Sequence, residues 1–532
     1  MSSTKFLPNK KKSSKGGAPI AAGGFGCVFY PPLKCKHANS RKLQKSNMVS
    51  KLMIKADSNE ELHEIQRITP IIDKIPYAER YFINAGIFAC MPDTLTKKDL
   101  KDFDTVCHNI SDGLNLSASN INNYLDHFRI LNIPYGGPSM TKYWESIVDV
   151  RTESVDSNKF ASVNKSLILL LKNAIIPMNR LGLIHMDLKS DNVLCDAGTA
   201  SSPHFPICRI IDWGLANVIN PEHITSRDIE NTVSRRPIQF NTPYNIIFFN
   251  NLTEQFYKQY ANKFLTRNEE IDTIGSNPFV YNLAKEMAED IIKKEKGHVK
   301  YVMERVLPVI FRCSGLNSSG GKELFRNLLT QGLINVFNKY GSSSKIDTKK
   351  YFSDVFRFNI DIWGFIMIYY GLLRHIDHIK TTKSGIRCMK HHTTFTAALA
   401  KIITKYCMNS KYATERIPTD ELIDDLEKLN KIVGGIPMEV SYAALDSTKK
   451  AKPTKKTKSI KKTKSIKKTK STKQTKPTKK ETTLIRKTTS KRHSRMHEIS
   501  LGTRKRCPRG YRRYIHPTRK IPICRQYTTK YI

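Results

Sequence analysis

His185-Met186-Asp187-Leu188-Lys189-Ser190-Asp191-Asn192, with Ile211-Asp212-Trp213-Gly214 downstream, constrains this chain more than any other stretch of it. The block sets an Asp, a Lys, an Asn and a second Asp in the order that phosphoryl transfer from Mg-ATP requires. Asp187 can accept a hydroxyl proton and Lys189 can neutralise charge on a moving phosphoryl group. Asn192 and Asp212 can hold Mg²⁺, or Mn²⁺ in its place. Mg²⁺ takes oxygen ligands and commonly needs only one or two protein carboxylates beside phosphate oxygens. A lone His and Asp are usually ordinary turn residues. Eight residues in register followed by D-W-G are far more specific.

Upstream lies a glycine cluster, Ala21-Ala22-Gly23-Gly24-Phe25-Gly26-Cys27-Val28. Glycines let a hairpin backbone lie against phosphates where a Cβ would clash. Alone, such a cluster after a polar leader is more often a flexible turn. Val28-Phe29-Tyr30 suits the returning strand, and Met48-Val49-Ser50-Lys51-Leu52-Met53 suits a second one. A lysine at position 51 is out of place on a half-buried strand unless it meets anions. Leu62, Ile65 and Ile68 then recur at helical spacing, with Ser58 or Asn59 as the expected N-cap and acids in the first turn. Glu64 on that helix is singled out as the carboxylate that could orient Lys51.

These motifs together resemble a eukaryotic-type serine/threonine protein kinase over roughly residues 20–430. The G-G-F-G-C-V-F-Y-P-P-L-K-C opening, the V-S-K-L-M strand and the I-P-Y-G-G segment are most similar to the divergent kinases of large nucleocytoplasmic DNA viruses. The resemblance implies ATP and Mg²⁺ as cofactors and protein Ser/Thr hydroxyls as acceptors. It implies an intracellular setting, host cytoplasm or virion for a viral member. By position, Ala21 to Val28 form the phosphate-covering loop, Lys51 contacts the α/β-phosphates, and Glu64 is its helix partner. Tyr135-Gly136-Gly137 falls at the adenine-binding hinge. Asp187 takes the place of the catalytic base, Lys189 of its phosphate-facing companion, and Asn192 and Asp212 of the metal ligands. Asn359-Ile360-Asp361-Ile362-Trp363-Gly364 resembles the buried helix whose Asp holds the catalytic loop's backbone.

The chain departs from that pattern in several places. Ala21 replaces the first loop glycine, and a polar, basic insert separates Gly26 from Lys51. Lys55 therefore competes with Lys51, and Glu60 or Glu61 with Glu64. Pro134 stands where a hinge glutamate is common. Arg235-Arg236-Pro237-Ile238-Gln239-Phe240-Asn241-Thr242-Pro243-Tyr244 resembles the end of an activation segment, yet no glutamate follows Pro243. Met186 occupies a place where an arginine often meets an activation-loop phosphate, so activity without phosphorylation at Thr232 or Ser234 is expected.

At 532 residues the chain is long enough for two or more packing units. The apolar run Trp363–Leu373 is too short for a bilayer span, so no membrane insertion is expected. Met1–Gly17 is rich in lysine and serine without an apolar core, so no secretory signal is expected, and residues 1–20 read as a basic flexible leader. Eleven cysteines, scattered without C-x-x-C, argue against a disulfide scaffold and for a reducing compartment. Cys388, His391 and His392 fall short of a four-ligand zinc site.

The net charge of +42 is concentrated at one end: 31 of the 89 Lys and Arg lie in 449–532, against two acids. From Lys455 the pattern K-K-T-K-S-I repeats through Thr472. So much like charge with so few apolar residues cannot bury a core, which predicts a disordered basic tail over 447–500. Such a tail attracts polyanions, nucleic acid among them, by counterion release. Residues 501–532 interleave arginines and aromatics and read as a small module or docking element.

The expected architecture is α+β and bilobal: an antiparallel-sheet lobe over 21–137 with a polar insert near 95–120, then a mainly helical lobe over 138–434. The stretch 245–356 reads as an insertion with helices such as Val280–Lys296. A pseudokinase scaffold acting through the tail, and a small-molecule phosphotransferase of related fold, are the competing readings. The presence of Lys51, Asp187, Asn192 and Asp212 disfavours the first. Asp361-Ile362-Trp363 and the Pro243 segment disfavour the second.

Overall fold

Strand alternation decides how the first part of the chain packs. Successive strand residues point to opposite faces, and Leu52 and Ile130 face one hydrophobic core while Met53 and Leu131 face another. The computed structural model of the chain describes residues 17–434, apart from 24–25, 46, 109, 111–115, 150–153, 200–201, 234–235, 250–252, 256, 260–277, 295–296, 316–319, 343–344 and 383–392, together with three short strands between 498 and 526. Strands β1 (Ala18–Gly23), β2 (Gly26–Tyr30), β3 (Met48–Ile54), β4 (Phe88–Cys90) and β5 (Phe128–Pro134) form an antiparallel sheet in the order β1-β2-β3-β5-β4. Lys51 pairs in register with Val28 on one side and Leu131 on the other, so it lies at the centre of the sheet.

Two helices occupy the segments flanking β3. Helix α1 (Ala38–Leu43) fills the insert after β2 and buries nothing of its own. Gln44 anchors that insert: its Nε2 donates to the Leu33 carbonyl at 2.5 Å and to Asn132 Oδ1 at 2.8 Å. Helix α2 (Lys55–Ile72) lays Ile65, Ile68 and Ile72 on the Met53 face. It begins at Lys55, directly off the strand, so Ser58 is a buried residue inside the helix and neither Ser58 nor Asn59 is its N-cap. Short α3 (Ala78–Tyr81) follows.

The expected polar insert near 95–120 is corrected. Leu95, Phe103, Cys107, Ile110 and Leu116 are buried, and with α4 (Phe103–Val106) they cover the Leu52 face of the sheet. Disulfide Cys27–Cys107 ties this cover to β2 and Cys35–Cys90 ties the segment after β2 to β4, with Cα separations of 5.3 and 5.8 Å. The expectation of no disulfide scaffold is therefore corrected, and with it the argument for a reducing compartment. The partners lie 80 and 55 residues apart, and only the folded sheet brings them together.

From Met140 onward helices dominate. Helix α5 (Met140–Ile147) is followed by the small strands β6 (Val148–Asp149) and β7 (Ser154–Val155). Helix α6 (Ser157–Leu170), capped by Asp156, which accepts from Lys159 N, runs through a wide turn at Leu171–Ile175 into α7 (Ile176–Arg180). Strands β8 (Leu183–Ile184), β9 (Val193–Thr199), β10 (Ser202–Ile210) and β11 (Asn217–Val218) frame the motif block, pairing β9 with β10 and β8 with β11. Helix α8 (Ser226–Val233) follows.

The insertion is integral to the core. It carries α9 (Pro278–Lys294), α10 (His298–Tyr301), α11 (Leu307–Ser314), α12 (Gly321–Tyr340) and α13 (Thr348–Tyr351). Phe325 and Phe337 of α12 meet Tyr244 and Phe248 edge to face. Helix α14 (Arg357–Thr382) threads the centre, buried from Asn359 to Tyr370, and α15 (Thr393–Cys407) and α16 (Thr419–Val433) complete the bundle. Among the described residues no helix is long and apolar enough to cross a membrane.

The chain divides into two compact units, 1–440 and 441–532. In the second, β12 (Glu498–Ser500), β13 (Tyr511–Ile515) and β14 (Pro522–Gln526) form an antiparallel sheet in the order β12-β14-β13. Of the flexible leader expected over 1–20, Ala18 to Ile20 instead open β1; residues 1–16, the lysine repeat and Cys388 to His392 lie outside the described residues.

Candidate active site

The loop after β8 owes its shape to one buried carboxylate. Asp361 of α14 accepts hydrogen bonds from His185 N at 2.8 Å, Met186 N at 2.9 Å and Asn179 Nδ2 at 2.7 Å. Burial pushes the Asp361 carboxyl up, against the pull of His185 and the three donors. Met186 has φ 69°, a left-handed conformation that L residues adopt only when held. Asp361 supplies that hold, as the resemblance implied.

Asp187, buried, projects beyond this clamp. Its Oδ2 receives Lys189 Nζ at 2.7 Å and Asn192 Nδ2 at 3.0 Å, and its Oδ1 receives Asn241 Nδ2 at 2.9 Å. Burial alone would raise its carboxyl, but Lys189, Asn241 and His185 outweigh burial and hold it below the usual carboxylate range. It is therefore ionised, an acceptor aimed at a donor. The His185 ring is also fixed. Asp187 N donates to Nδ1 at 3.3 Å, so Nε2 carries the proton and donates to the Ile211 carbonyl at 3.0 Å.

Asn192 donates its amide nitrogen to Asp187, which leaves Oδ1 as the oxygen for a cation. Its carbonyl accepts Ile211 N at 3.0 Å, which sets Asp212 beside it. Asp212 has φ 67° and an exposed side chain. Trp213 behind it is buried against His185 at 4.8 Å and Phe82 at 5.8 Å. Among the described residues no cluster of three His, Cys, Asp or Glu could hold a metal. One carboxylate and one amide oxygen nevertheless fit Mg²⁺ completed by phosphate oxygens.

Lys51 lies on the sheet face that looks toward α2, and its Nζ meets Glu61 Oε2 at 2.6 Å. Glu61, not Glu64, is its partner. The reason is the earlier helix start, which turns Glu61 inward and Glu64 toward Arg67, whose Nε it accepts at 2.9 Å. Lys55, the competing lysine, is exposed at the first turn. Burial raises the Glu61 carboxyl, Lys51 opposes this, and the Asp212 and Asp57 charges add to the rise. Glu61 and Asp212 thus sit within electrostatic reach of each other, joining the sheet side of the site to the motif block.

Ala21, Ala22 and Gly23 pair with Val28, Cys27 and Gly26 in the β1–β2 hairpin, whose tip, Gly24 and Phe25, lies outside the described residues. Gly26 is required by packing: a Cβ would meet the Leu52 carbonyl at 2.8 Å. Tyr135 N donates to the Asn47 carbonyl at 2.8 Å, and the ring stacks on Tyr30 at 5.0 Å. Tyr135 thus spends its own amide on the insert. The backbone beside it presses on β9, where a Cβ at Gly136 would meet Leu194 at 2.8 Å and one at Gly137 (φ +98°) the Cys195 carbonyl at 2.6 Å.

Asn241 and Arg236 are site residues that the motifs did not single out. Asn241 also donates to the Leu188 carbonyl at 3.1 Å, and Arg236 Nη2 donates to the Met186 carbonyl at 2.8 Å. Burial lowers the Arg236 pKa, while Asp187, Asp361 and Asp212 pull it back up. Both residues lie about fifty positions from their partners in the segment read only as a segment end. That segment has no Glu–Arg tether after Pro243. Tyr244 packs edge to face on Phe325 and Trp363 instead.

The chain matches no protein-family model and no curated protein.

Proposed function

We propose that the chain is an ATP- and Mg²⁺-dependent protein kinase that transfers the γ-phosphoryl group to Ser or Thr hydroxyls, with the sheet and α2 as the small lobe of a kinase-like bilobal fold and the helical part as the large one. The observation that carries this reading is the ionised Asp187 carboxylate with Lys189 at 2.7 Å and Asn192 at 3.0 Å on a loop held by Asp361, beside a buried Lys51–Glu61 pair at 2.6 Å. Ionised Asp187 can orient an acceptor hydroxyl and take its proton. Lys189, at 2.7 Å from that carboxylate, can place positive charge on the phosphoryl oxygens in flight. Lys51, fixed by Glu61, can do the same for the α/β-phosphates. Bound Mg²⁺ would supply charge neutralisation between phosphates, held by Asn192 Oδ1 and Asp212.

Lys189, two residues after Asp187, favours Ser/Thr over Tyr as acceptor. The basic segment 449–532 supports a second capacity of the same protein, contact with polyanions or nucleic acid. An intracellular location, host cytoplasm or virion, belongs to the viral resemblance and is part of the proposal. The two disulfides restrict it to surroundings that tolerate oxidised cysteines.

The test is transfer of labelled γ-phosphate from ATP to a panel of proteins and small metabolites, with Asp187→Asn as control. Label on protein Ser or Thr that vanishes in the variant is expected. Label on metabolites alone selects the small-molecule phosphotransferase. No label from a folded wild-type chain selects the scaffold.

A further inference from the structure

Arg67 sits one turn beyond Glu64 on α2 and makes contacts that the phosphoryl-transfer chemistry does not require. Its Nε and Nη2 bind the Glu64 carboxylate at 2.9 and 2.5 Å, Nη2 also reaches the Ala216 carbonyl at 3.0 Å, and Nη1 reaches Asn217 Oδ1 at 3.4 Å. Asn217 passes the connection on. Its Nδ2 donates to Thr232 Oγ1 at 2.6 Å, and Thr232 Oγ1 itself donates to the Asp228 carbonyl at 2.5 Å within α8. Thr232 is buried, with its hydroxyl engaged in both directions. At the far end of the segment Arg236 holds the Met186 carbonyl.

We propose that Arg67 is a positioning residue that locks α2 to the 213–233 segment, so that this segment is held by the chain's own hydrogen bonds and needs no phosphate group. The proposal rests on the kinase reading for its consequence, since α2 carries Glu61 and the segment carries the residues that follow Asp212. Its geometry is independent of that reading. A guanidinium is suited to the task because its planar fork serves a carboxylate and two further acceptors at once. Neither of the two arginines that hold this segment is free for a phosphate: Arg67 is bound to Glu64, and Arg236 donates to the Met186 carbonyl. A phosphate on Thr232 would have to displace the bond to Asn217 and leave the buried face of α8.

Hydrogen exchange on the full-length, nucleotide-free protein tests the lock. In Arg67→Ala, exchange in both 55–72 and 214–233 is expected to rise about tenfold, the size of one lost charge-assisted hydrogen bond. Arg67→Lys keeps a charge for Glu64 but not the fork, and is expected to loosen 214–233 alone. Asn217→Ala, a milder change should Arg67→Ala unfold, is expected to loosen 226–233 and leave 55–72 unchanged. In the kinase assay the Arg67→Ala loss should fall on kcat more than on KM for the acceptor, and mass spectrometry of active enzyme should find Thr232 unmodified. Unchanged exchange at 214–233 in folded Arg67→Ala, or phosphothreonine at 232 in active enzyme, overturns the proposal. Coupled exchange in a protein without phosphoryl transfer upholds the lock and refutes the kinase reading.

Discussion

The Lys51 ammonium and the Glu61 carboxylate meet at 2.6 Å with both side chains largely withdrawn from water. A charge pair so placed is costly to break, because the survivor is left buried and uncompensated. Lys51→Met and Glu61→Gln should therefore each lower kcat/KM by about a hundredfold or more, the scale of losing one fixed charge beside a transition state. Lys55→Met, at an exposed position, should change it by about twofold at most. Steady-state kinetics of the three variants decides this, and a Lys55 effect larger than that of Lys51 would shift the assignment to the helix.

Asp187 is shared by Lys189, Asn192 and Asn241. Asp187→Asn should cut turnover by about a thousandfold or more while the fold persists, since the hydroxyl loses its proton acceptor. Asp212→Ala should sharply lower turnover at ordinary Mg²⁺ by removing a metal ligand. Asn241→Ala should cost about tenfold by freeing the carboxylate to turn from its productive direction. Rates at varied Mg²⁺ separate the roles: excess Mg²⁺ can offset Asp212→Ala in part but not Asp187→Asn.

The split between what the motifs reveal and what they hide follows from sequence distance. Asp187, Lys189, Asn192 and Asp212 were legible because one short loop and one turn carry them, and Asp361 because its helix is a single apolar run. Glu61 was missed as first choice because the helix start at Lys55 has no side-chain cap to mark it. Asn241 and Arg236 were hidden because only the tertiary path returns them to residues 186–188. The cover on the sheet was misread as polar because its apolar residues, Leu95, Phe103, Ile110 and Leu116, follow no strand or helix period. The two cysteine pairs gave no signal because their partners lie 80 and 55 residues apart and only the folded sheet brings them together.

The pH dependence separates the two site carboxylates. Burial raises the Glu61 pKa above the ordinary 4.5, whereas Asp187 is held below the ordinary 3.8. As pH falls, Glu61 takes up its proton first and releases Lys51 while Asp187 is still ionised. The acid limb of kcat/KM should therefore lie above 4.5 and disappear in the residual activity of Glu61→Gln. For stability the signs are opposite. Glu61 contributes stability below its unfolded pKa that is lost as pH rises through its folded value. Asp187 contributes stability above its unfolded pKa that is lost as pH falls through its folded value. Melting curves of wild type, Glu61→Gln and Asp187→Asn across acid pH should show these opposed slopes.

The two disulfides close long loops across the sheet cover. Each should contribute about 2–4 kcal/mol, chiefly by restricting the unfolded chain. Reduction should lower the melting temperature by several degrees and speed proteolysis within 95–120 before the helical part is cut. Because Cys27 directly follows Gly26 of the glycine hairpin, Cys27→Ser should also weaken nucleotide binding. Identical melting of fully reduced and oxidised protein would show that packing alone holds the cover.

The excess of positive charge and the candidate site lie in different units of the chain. The site residues all lie in the unit 1–440, while 31 of the 89 basic side chains lie in 449–532. Deleting 441–532 should therefore leave ATP binding and peptide phosphorylation within about twofold of the full chain, since the deletion removes none of the site residues. It should sharply weaken binding to DNA, RNA or heparin. Each lysine that meets a phosphate releases counterions, so the salt dependence of that binding should flatten together with its strength. Full-length and truncated protein compared for both activities at two salt concentrations provide the measurement. Kinase activity lost on truncation would place a catalytic requirement in the tail. Unchanged polyanion binding would move the basic surface to the residues before 441.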